Sequence, residues 1–122
     1  MTYSPIWQAL IAAGIILSVT KATQAAISFE YEGFTGVDFT GSGIDTSVSS
    51  QNPNGCAYID RILDLKMVSF NTYGRCLTLY SELDCKGEQR IFKGIYPDLA
   101  KKGWANKARS IAPLPDNLVC LG

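Results

Sequence analysis

Short stretches in which apolar and polar residues alternate recur along the chain after residue 25. Ile27–Tyr31 and Cys76–Tyr80 are examples, and the segments between such stretches are rich in Gly, Ser, Asn and Pro. Because successive side chains of a strand point to opposite faces, this pattern indicates half-buried strands joined by turns. Sustained helical periodicity is absent, so the sequence predicts an all-β fold.

Three segments depart from this alternation. Ile59, Ile62 and Leu63 share one helix face for a single turn, and Asp98–Gly103 predicts a brief helix that ends at its glycine. Residues 42–55 are rich in Gly, Ser and Asn, and we expect them to form a long loop that closes with an Asn-Gly turn.

The beginning of the chain has the pattern of a secretory signal peptide. Ile6–Val19 is interrupted only by Gln8 and Ser18, and small residues follow it. This run is several residues short of the roughly 20 that a membrane-spanning helix requires. We therefore predict a signal peptide over residues 1–25 and a single secreted, extracellular domain over residues 26–122, with no membrane span. The alternative is a buried N-terminal helix.

Four cysteines in a small exported chain indicate two disulfide bonds. They are Cys56, Cys76, Cys85 and Cys120. Zinc is disfavoured because the chain has neither a Cys-x-x-Cys pair nor a histidine. Four cysteines allow three pairings, and we favour Cys76 with Cys85 because that loop is the shortest to close.

The mature chain contains an internal repeat at a shift of 46 residues. Phe34 then coincides with Tyr80, and Gly41 with Gly87, so that each copy has an aromatic residue followed seven positions later by glycine. We expect each aromatic ring to cover a folded hairpin. Each glycine is expected at a positive φ, which other residues resist.

The later parts of the two copies also align at this shift. Residues 58–65 fall on residues 104–111, which begin with Trp104, and Asp64 falls on Ser110. We expect Asp64 and Ser110 each to offer a side-chain oxygen to the backbone of the folded hairpin in its own copy.

These residues resemble the Greek-key motif of the βγ-crystallin superfamily. The second copy reads YSELDCKG over residues 80–87, and the first reads FTGVDFTG over residues 34–41. Phe39 stands at the second aromatic position of the first copy, which Cys85 occupies in the second.

The resemblance implies a βγ-crystallin-like sandwich of two four-stranded antiparallel sheets, in which each motif lends one strand to the other's sheet. Motif 1 would span about residues 27–70 and motif 2 about residues 74–116.

The resemblance also suggests where calcium would bind. Calcium-binding members carry two Asn/Asp residues, two variable positions, a Ser/Thr and a Ser. The corresponding stretches here, residues 59–64 and 105–110, keep oxygens at Asp60 and Asn106, but Arg109 replaces the hydroxyl of the second stretch. Because calcium requires six to eight oxygen ligands, we predict no cofactor, and Asp60 and Asn106 stay the calcium candidates.

The composition excludes several classes of function. Eleven basic residues balance eleven acidic ones, which disfavours general nucleic-acid binding, and the chain has no histidine. Without imidazole, Ser-His-Asp and Cys-His mechanisms are excluded. Near pairs of carboxylates, such as Glu82 with Asp84, are more typical of solvated turns than of glycosidases. We therefore predict that the protein is not an enzyme.

The charges are unevenly distributed. Residues 26–65 carry six acidic residues and one basic residue, whereas residues 86–110 carry seven basic residues and two acidic ones. A candidate anion-binding surface contains Lys101, Lys102, Lys107 and Arg109. An acidic glycan, an anionic lipid head group or an acidic protein would suit it. Alternatively, the two halves attract each other or are solvated.

The sequence thus predicts a secreted, non-catalytic protein that works by binding or by its stability. One alternative is a secreted toxin or effector that acts on other cells through the basic surface. A calcium-binding extracellular module is the third reading.

Overall fold

The computed structural model describes residues 25–114 and residue 120. The predicted signal peptide lies outside these residues except for its last position, so it stays a prediction. The described part contains eight strands and two 3-10 helices: β1 (Ile27–Phe34), η1 (Val37–Phe39), β2 (Gly43–Ser50), β3 (Ala57–Tyr58), β4 (Ser69–Asn71), β5 (Leu77–Glu82), β6 (Lys86–Phe92), β7 (Ile95–Tyr96), η2 (Leu99–Lys102) and β8 (Ser110–Pro113).

The strands form two antiparallel four-stranded sheets. The first sheet has the order β2-β1-β4-β7, and the second has the order β3-β8-β5-β6. Each sheet therefore contains one short strand from the other half of the chain, β7 in the first and β3 in the second. This arrangement confirms the predicted all-β fold of two Greek-key motifs that exchange a strand.

An aromatic cluster fills the space between the sheets. The ring of Phe92 meets the rings of Phe70, Tyr96 and Trp104 edge to face, at centroid distances of 5.8, 4.9 and 6.1 Å. Tyr31 meets Phe70 in the same way at 5.9 Å. Such pairs contribute about 0.5 to 1.5 kcal/mol each beyond their buried area. Trp104 is thus a core residue with 4% of its surface exposed.

The prediction of a long loop over residues 42–55 is wrong for the first part of that range. Gly43–Ser50 forms β2, which pairs with β1 over its whole length. Ile44, Thr46 and Val48 point towards the core side of the sheet and are half-buried. Their alternation was the available signal, but the Ser-rich composition between them obscured it.

The brief helix predicted near Asp98 is confirmed as η2. The Asp98 side chain accepts a hydrogen bond from the Ala100 N–H at 3.0 Å, which caps the first turn. Gly103 ends the helix at φ 74°, where glycine is favoured. No helix among the described residues is long and apolar enough to cross a membrane.

Two disulfide bonds are present, as predicted, but the favoured pairing is wrong. Cys56 bonds Cys85 and Cys76 bonds Cys120, with Cα–Cα distances of 6.1 and 6.2 Å. Cys76 and Cys85 lie at opposite ends of β5, and a six-residue strand is about 20 Å long. A disulfide requires Cα atoms within about 7 Å, so strand formation excludes the shortest loop.

Candidate functional site

A buried serine fastens the folded hairpin in each motif. In motif 2, the Ser110 hydroxyl donates to the Glu82 carbonyl at 2.5 Å and accepts from the Cys85 N–H at 2.9 Å. In motif 1, the Ser69 hydroxyl donates to the Gly36 carbonyl at 2.8 Å and accepts from the Phe39 N–H at 3.1 Å.

Ser69, not Asp64, is therefore the counterpart of Ser110, and the prediction for Asp64 is wrong. The early parts of the motifs align at a shift of 46 residues, but the serines align at 41 because motif 1 has five more residues between its glycine and its serine. A single shift could not find both. A serine flanked by Val68 and Phe70 was the signal in the sequence.

The glycines of the repeat occupy equivalent positions. Gly41 has φ 80° and Gly87 has φ 82°. A Cβ added to Gly41 would lie 2.6 Å from Thr35 Oγ1, and one added to Gly87 would lie 2.5 Å from Ser81 Oγ. Both conformation and space therefore require glycine at these hairpins.

The aromatic positions differ between the motifs. The rings of Phe34 and Phe39 meet edge to face at 5.8 Å over the first hairpin. In the second hairpin Tyr80 is half-buried, and Cys85 stands in place of the second ring and carries the disulfide to Cys56. A covalent bond between the motifs thus replaces an aromatic contact.

A second set of contacts joins the motifs through two left-handed residues, Leu65 and Asn106, with φ near 60°. The Leu65 N–H donates to the Ala108 carbonyl at 3.1 Å, and the Asn106 N–H donates to the Met67 carbonyl at 2.9 Å. These reciprocal bonds relate the two loops by approximate two-fold symmetry. We call this region the motif junction.

An ion pair lies beside the motif junction. Arg109 Nε is 3.2 Å from Asp64 Oδ1, and Arg109 Nη2 is 3.3 Å from Asp64 Oδ2. About a third of each side chain is exposed. The pair borders a shallow depression of about 530 Å³ that Tyr58, Asp60 and Leu83 also line.

The residues at the motif junction do not fit a calcium ion. The stretch equivalent to residues 105–110 is residues 64–69 and not the predicted 59–64, because Ser69 is the counterpart of Ser110. The fifth positions are Val68 and Arg109, which supply no side-chain oxygen. The guanidinium of Arg109 already neutralises Asp64. Among the described residues, no three Cys, Asp or Glu side chains are grouped in a way that would hold a metal.

The two calcium candidates are not brought together at one site. Asp60 lines the depression, where its carboxylate accepts from the Ile62 N–H at 2.9 Å and shapes a turn. Asn106 is exposed in its left-handed conformation and does not line that depression.

The predicted basic surface is divided by internal pairing. Lys107 Nζ lies 2.7 Å from a Glu88 carboxylate oxygen and 5.0 Å from the centre of the Trp104 ring. Arg109 is engaged by Asp64. Lys101 and Lys102 are exposed at the end of η2, so only they keep the character that was predicted for all four.

An acidic surface lies on the outside of the first sheet, within the segment over residues 26–65 in which acidic residues outnumber basic ones. Glu30 and Glu32 of β1 project there, and Asp45 of β2 stands directly opposite Glu32. We call these three residues the acidic face. Like charges on directly opposed positions destabilise a sheet, so the acidic face lowers the stability of the protein when no partner is bound.

Tyr73 lies against the acidic face. Desolvation and the neighbouring carboxylates of Asp45, Glu32 and Glu30 raise the pKa of Tyr73 to about 12. Almost half of this residue is exposed. Its ring and Arg75 border a groove of about 560 Å³ that Glu30 and Ser47 also line.

Comparisons with known proteins identify the fold. No family model and no curated protein matches the sequence. Several solved structures do match. A βγ-crystallin from an archaeon superposes with TM-score 0.59 at 18% identity, covering 75% of this chain and all of the other.

Two further structures agree. A βγ-crystallin from Ciona intestinalis gives TM-score 0.57 at 12% identity, covering 70% of this chain and 99% of the other. A βγ-crystallin domain from Flavobacterium johnsoniae gives 0.55 at 17% identity, covering 73% and 98%. Together with the strand exchange and the paired serine-fastened hairpins, these matches identify the chain as a domain of βγ-crystallin fold.

Proposed function

We propose that this protein is a secreted, non-catalytic domain of βγ-crystallin fold that acts by binding a partner through its surface. The pair of disulfide bonds supports the secreted location. Cys56–Cys85 joins the two motifs, and Cys76–Cys120 joins Cys120 to the residue just before β5. Disulfides persist in oxidising compartments, and each contributes about 2 to 4 kcal/mol to a small domain.

The engagement of the polar side chains supports a non-catalytic role. Ser69 and Ser110 are buried and use their hydroxyls to fasten hairpins. The Tyr31 hydroxyl accepts from the Asp60 N–H at 3.1 Å, and burial raises the pKa of Tyr31 to about 12. A hydroxyl with this pKa is a poor general base near neutral pH.

Expression of the 122-residue chain in a eukaryotic secretory host tests whether the protein is secreted. We expect the protein in the medium, beginning near residue 26, with all four cysteines protected from alkylation and Cys56 linked to Cys85. Retention inside the cell with free thiols would overturn the proposal.

The second candidate is an effector that acts through basic residues, and the exposure of Lys101 and Lys102 favours it. Neither lysine forms an ion pair within the described residues. Purified protein would then inhibit or kill microbial or plant cells, and the Lys101→Ala/Lys102→Ala variant would be weaker. Equal potency of this variant would exclude the basic residues as the contact.

A further inference from the structure

The two outer strands β2 and β6 occupy equivalent places in their motifs but differ in how their free edges are protected. β6 carries Lys86, Glu88 and Arg90, and a register shift interrupts its pairing with β5. β2 carries one charged residue, Asp45, and pairs with β1 over eight residues without a register shift. Charges and bulges protect edge strands from further pairing, so β2 is the less protected of these two edges within the described residues.

Backbone groups of β2 point away from the sheet at alternate residues. The Phe34 carbonyl accepts from the Val68 N–H, on the side of β1 that faces β4. In an antiparallel strand the N–H and C=O of one residue point the same way and alternate along the strand. Thr46, opposite Tyr31, therefore bonds to β1, and Asp45 and Ser47 direct their N–H and C=O groups outward.

The two faces at this edge differ in chemistry. On the inner face, Ile44 and Val48 pack against the core but are only partly buried. On the outer face lie Glu30, Glu32 and Asp45, and Tyr73 lines the same groove as Glu30 and Ser47. An added strand would cover Ile44 and Val48 with one row of side chains and place its other row over the acidic face.

We propose that β2 binds an extended segment of a partner protein in which Lys or Arg alternates with β-branched apolar residues. The backbone of the segment would pair with Asp45 and Ser47. Its apolar row would complete the inner face, and its basic row would neutralise the acidic face and contact the Tyr73 ring. A second copy of this chain fits less well, because pairing of two β2 strands would join two acidic faces.

This inference deepens the proposed function, since it names the partner of the binding domain. Its test is binding of a fluorescein-labelled peptide of alternating Lys and Val, as long as β2, to the full chain by fluorescence anisotropy. The comparison peptides are one of alternating Glu and Val and a Lys/Val peptide with N-methyl groups along one edge. The methylated peptide keeps the charge and the apolar side chains but cannot donate backbone hydrogen bonds to β2. It therefore tests backbone pairing without any change to the protein.

The protein variants are Ser47→Pro on β2 and Gln89→Pro on β6. Proline is tolerated on an edge strand where the N–H faces solvent. Gln89 is opposite Tyr80, whose carbonyl accepts from the Arg109 N–H on the other side of β5, so Gln89 also faces outward. We expect Ser47→Pro to lower the affinity for the Lys/Val peptide at least about tenfold. Gln89→Pro should leave this affinity unchanged.

Binding that weakens with salt and is absent for the methylated and acidic peptides would support the proposal. Equal binding of all three peptides, no binding of the Lys/Val peptide, or unchanged binding by a folded Ser47→Pro variant would overturn it. A dimer in sedimentation that Ser47→Pro converts to monomer would also overturn it, because a second copy would then occupy the edge. None of these outcomes affects the secretion and disulfide assays, so the two proposals can fail separately.

Discussion

Arg109 of the second motif forms a two-point ion pair with Asp64 of the first, through Nε–Oδ1 and Nη2–Oδ2 distances of 3.2 and 3.3 Å. The pair lies next to the reciprocal backbone bonds of Leu65 and Asn106. A positive charge is thereby built into the protein at the place where the two motifs meet.

The coupling between these residues is measurable by a double-mutant cycle. Because about a third of each side chain is exposed, we expect Asp64→Ala and Arg109→Ala to show a coupling energy of about 0.2 to 1 kcal/mol in urea unfolding. The coupling should fall at high salt. Strictly additive single and double variants would show that the pair adds nothing.

Calcium should have no effect on the unfolding temperature. The donors at the motif junction do not suit the ion, whereas a ligand at 100 times its dissociation constant would add about 2.7 kcal/mol. Thermal unfolding at rising calcium concentration, with magnesium as the control, measures this. A saturable increase in the unfolding temperature that a chelator reverses would contradict the conclusion that the motif junction does not suit calcium.

Ser69→Ala should be much more costly than Asp64→Asn. Ser69 is fully buried and its hydroxyl serves both Gly36 and Phe39, so its loss leaves buried backbone groups without partners, at about 1 to 3 kcal/mol. Ser110→Ala should cost a similar amount. If Asp64→Asn were the most damaging of the three in urea unfolding, the assignment of the hairpin serines would be incorrect.

Removal of the disulfide between the motifs should lower stability markedly. We expect Cys56→Ser/Cys85→Ser to lose about 2 to 4 kcal/mol, which lowers the unfolding temperature by at least about 8 °C in a domain of this size. Scanning calorimetry measures the change. A loss confined to the Cys76→Ser/Cys120→Ser control would place the main covalent brace at the end of the chain instead.

Stability should decrease in strongly alkaline solution. Burial raises the pKa of Tyr31 from 10.0 to about 12, so the folded state keeps a proton that the unfolded state loses. The stabilisation is complete below the unfolded pKa and disappears as pH rises through about 10 to 12. Tyr31→Phe should flatten this part of the urea-unfolding profile. An unchanged slope in that variant would mean that Tyr31 does not cause it.

The pKa of Tyr73 is raised in the same direction, but almost half of this residue is exposed, so we expect solvent screening to make its contribution over this pH range smaller than that of Tyr31. Tyr73→Phe serves as the matched comparison. It removes a phenol at the surface, whereas Tyr31→Phe removes one from the core.

The sequence was most informative where one residue type serves one conformation. The positive φ of Gly41 and Gly87 and the aromatic Phe34 could be predicted because a hairpin folded over its sheet requires them. Ser69 could not be found, since its equivalence to Ser110 depends on a different length of intervening chain. The sequence therefore predicted the residues of each hairpin, but not the different distance from glycine to serine in the two motifs.

The predictions of the cysteine pairing and of a loop at β2 were wrong for a related reason. Loop entropy favours Cys76 with Cys85, but the rigid length of β5 between them overrides it. In β2, serine-rich composition suggested a loop, yet Ile44 and Val48 had a neighbouring strand to pack beside. Both results depend on tertiary contacts that no local window contains.

The exchange of β3 and β7 also determines how the domain unfolds. Each sheet is completed by two residues from the opposite half, so a cut between β4 and β5 would leave both fragments with an incomplete sheet and an uncovered aromatic core. Neither half is an independent module, and the domain should melt in one cooperative step.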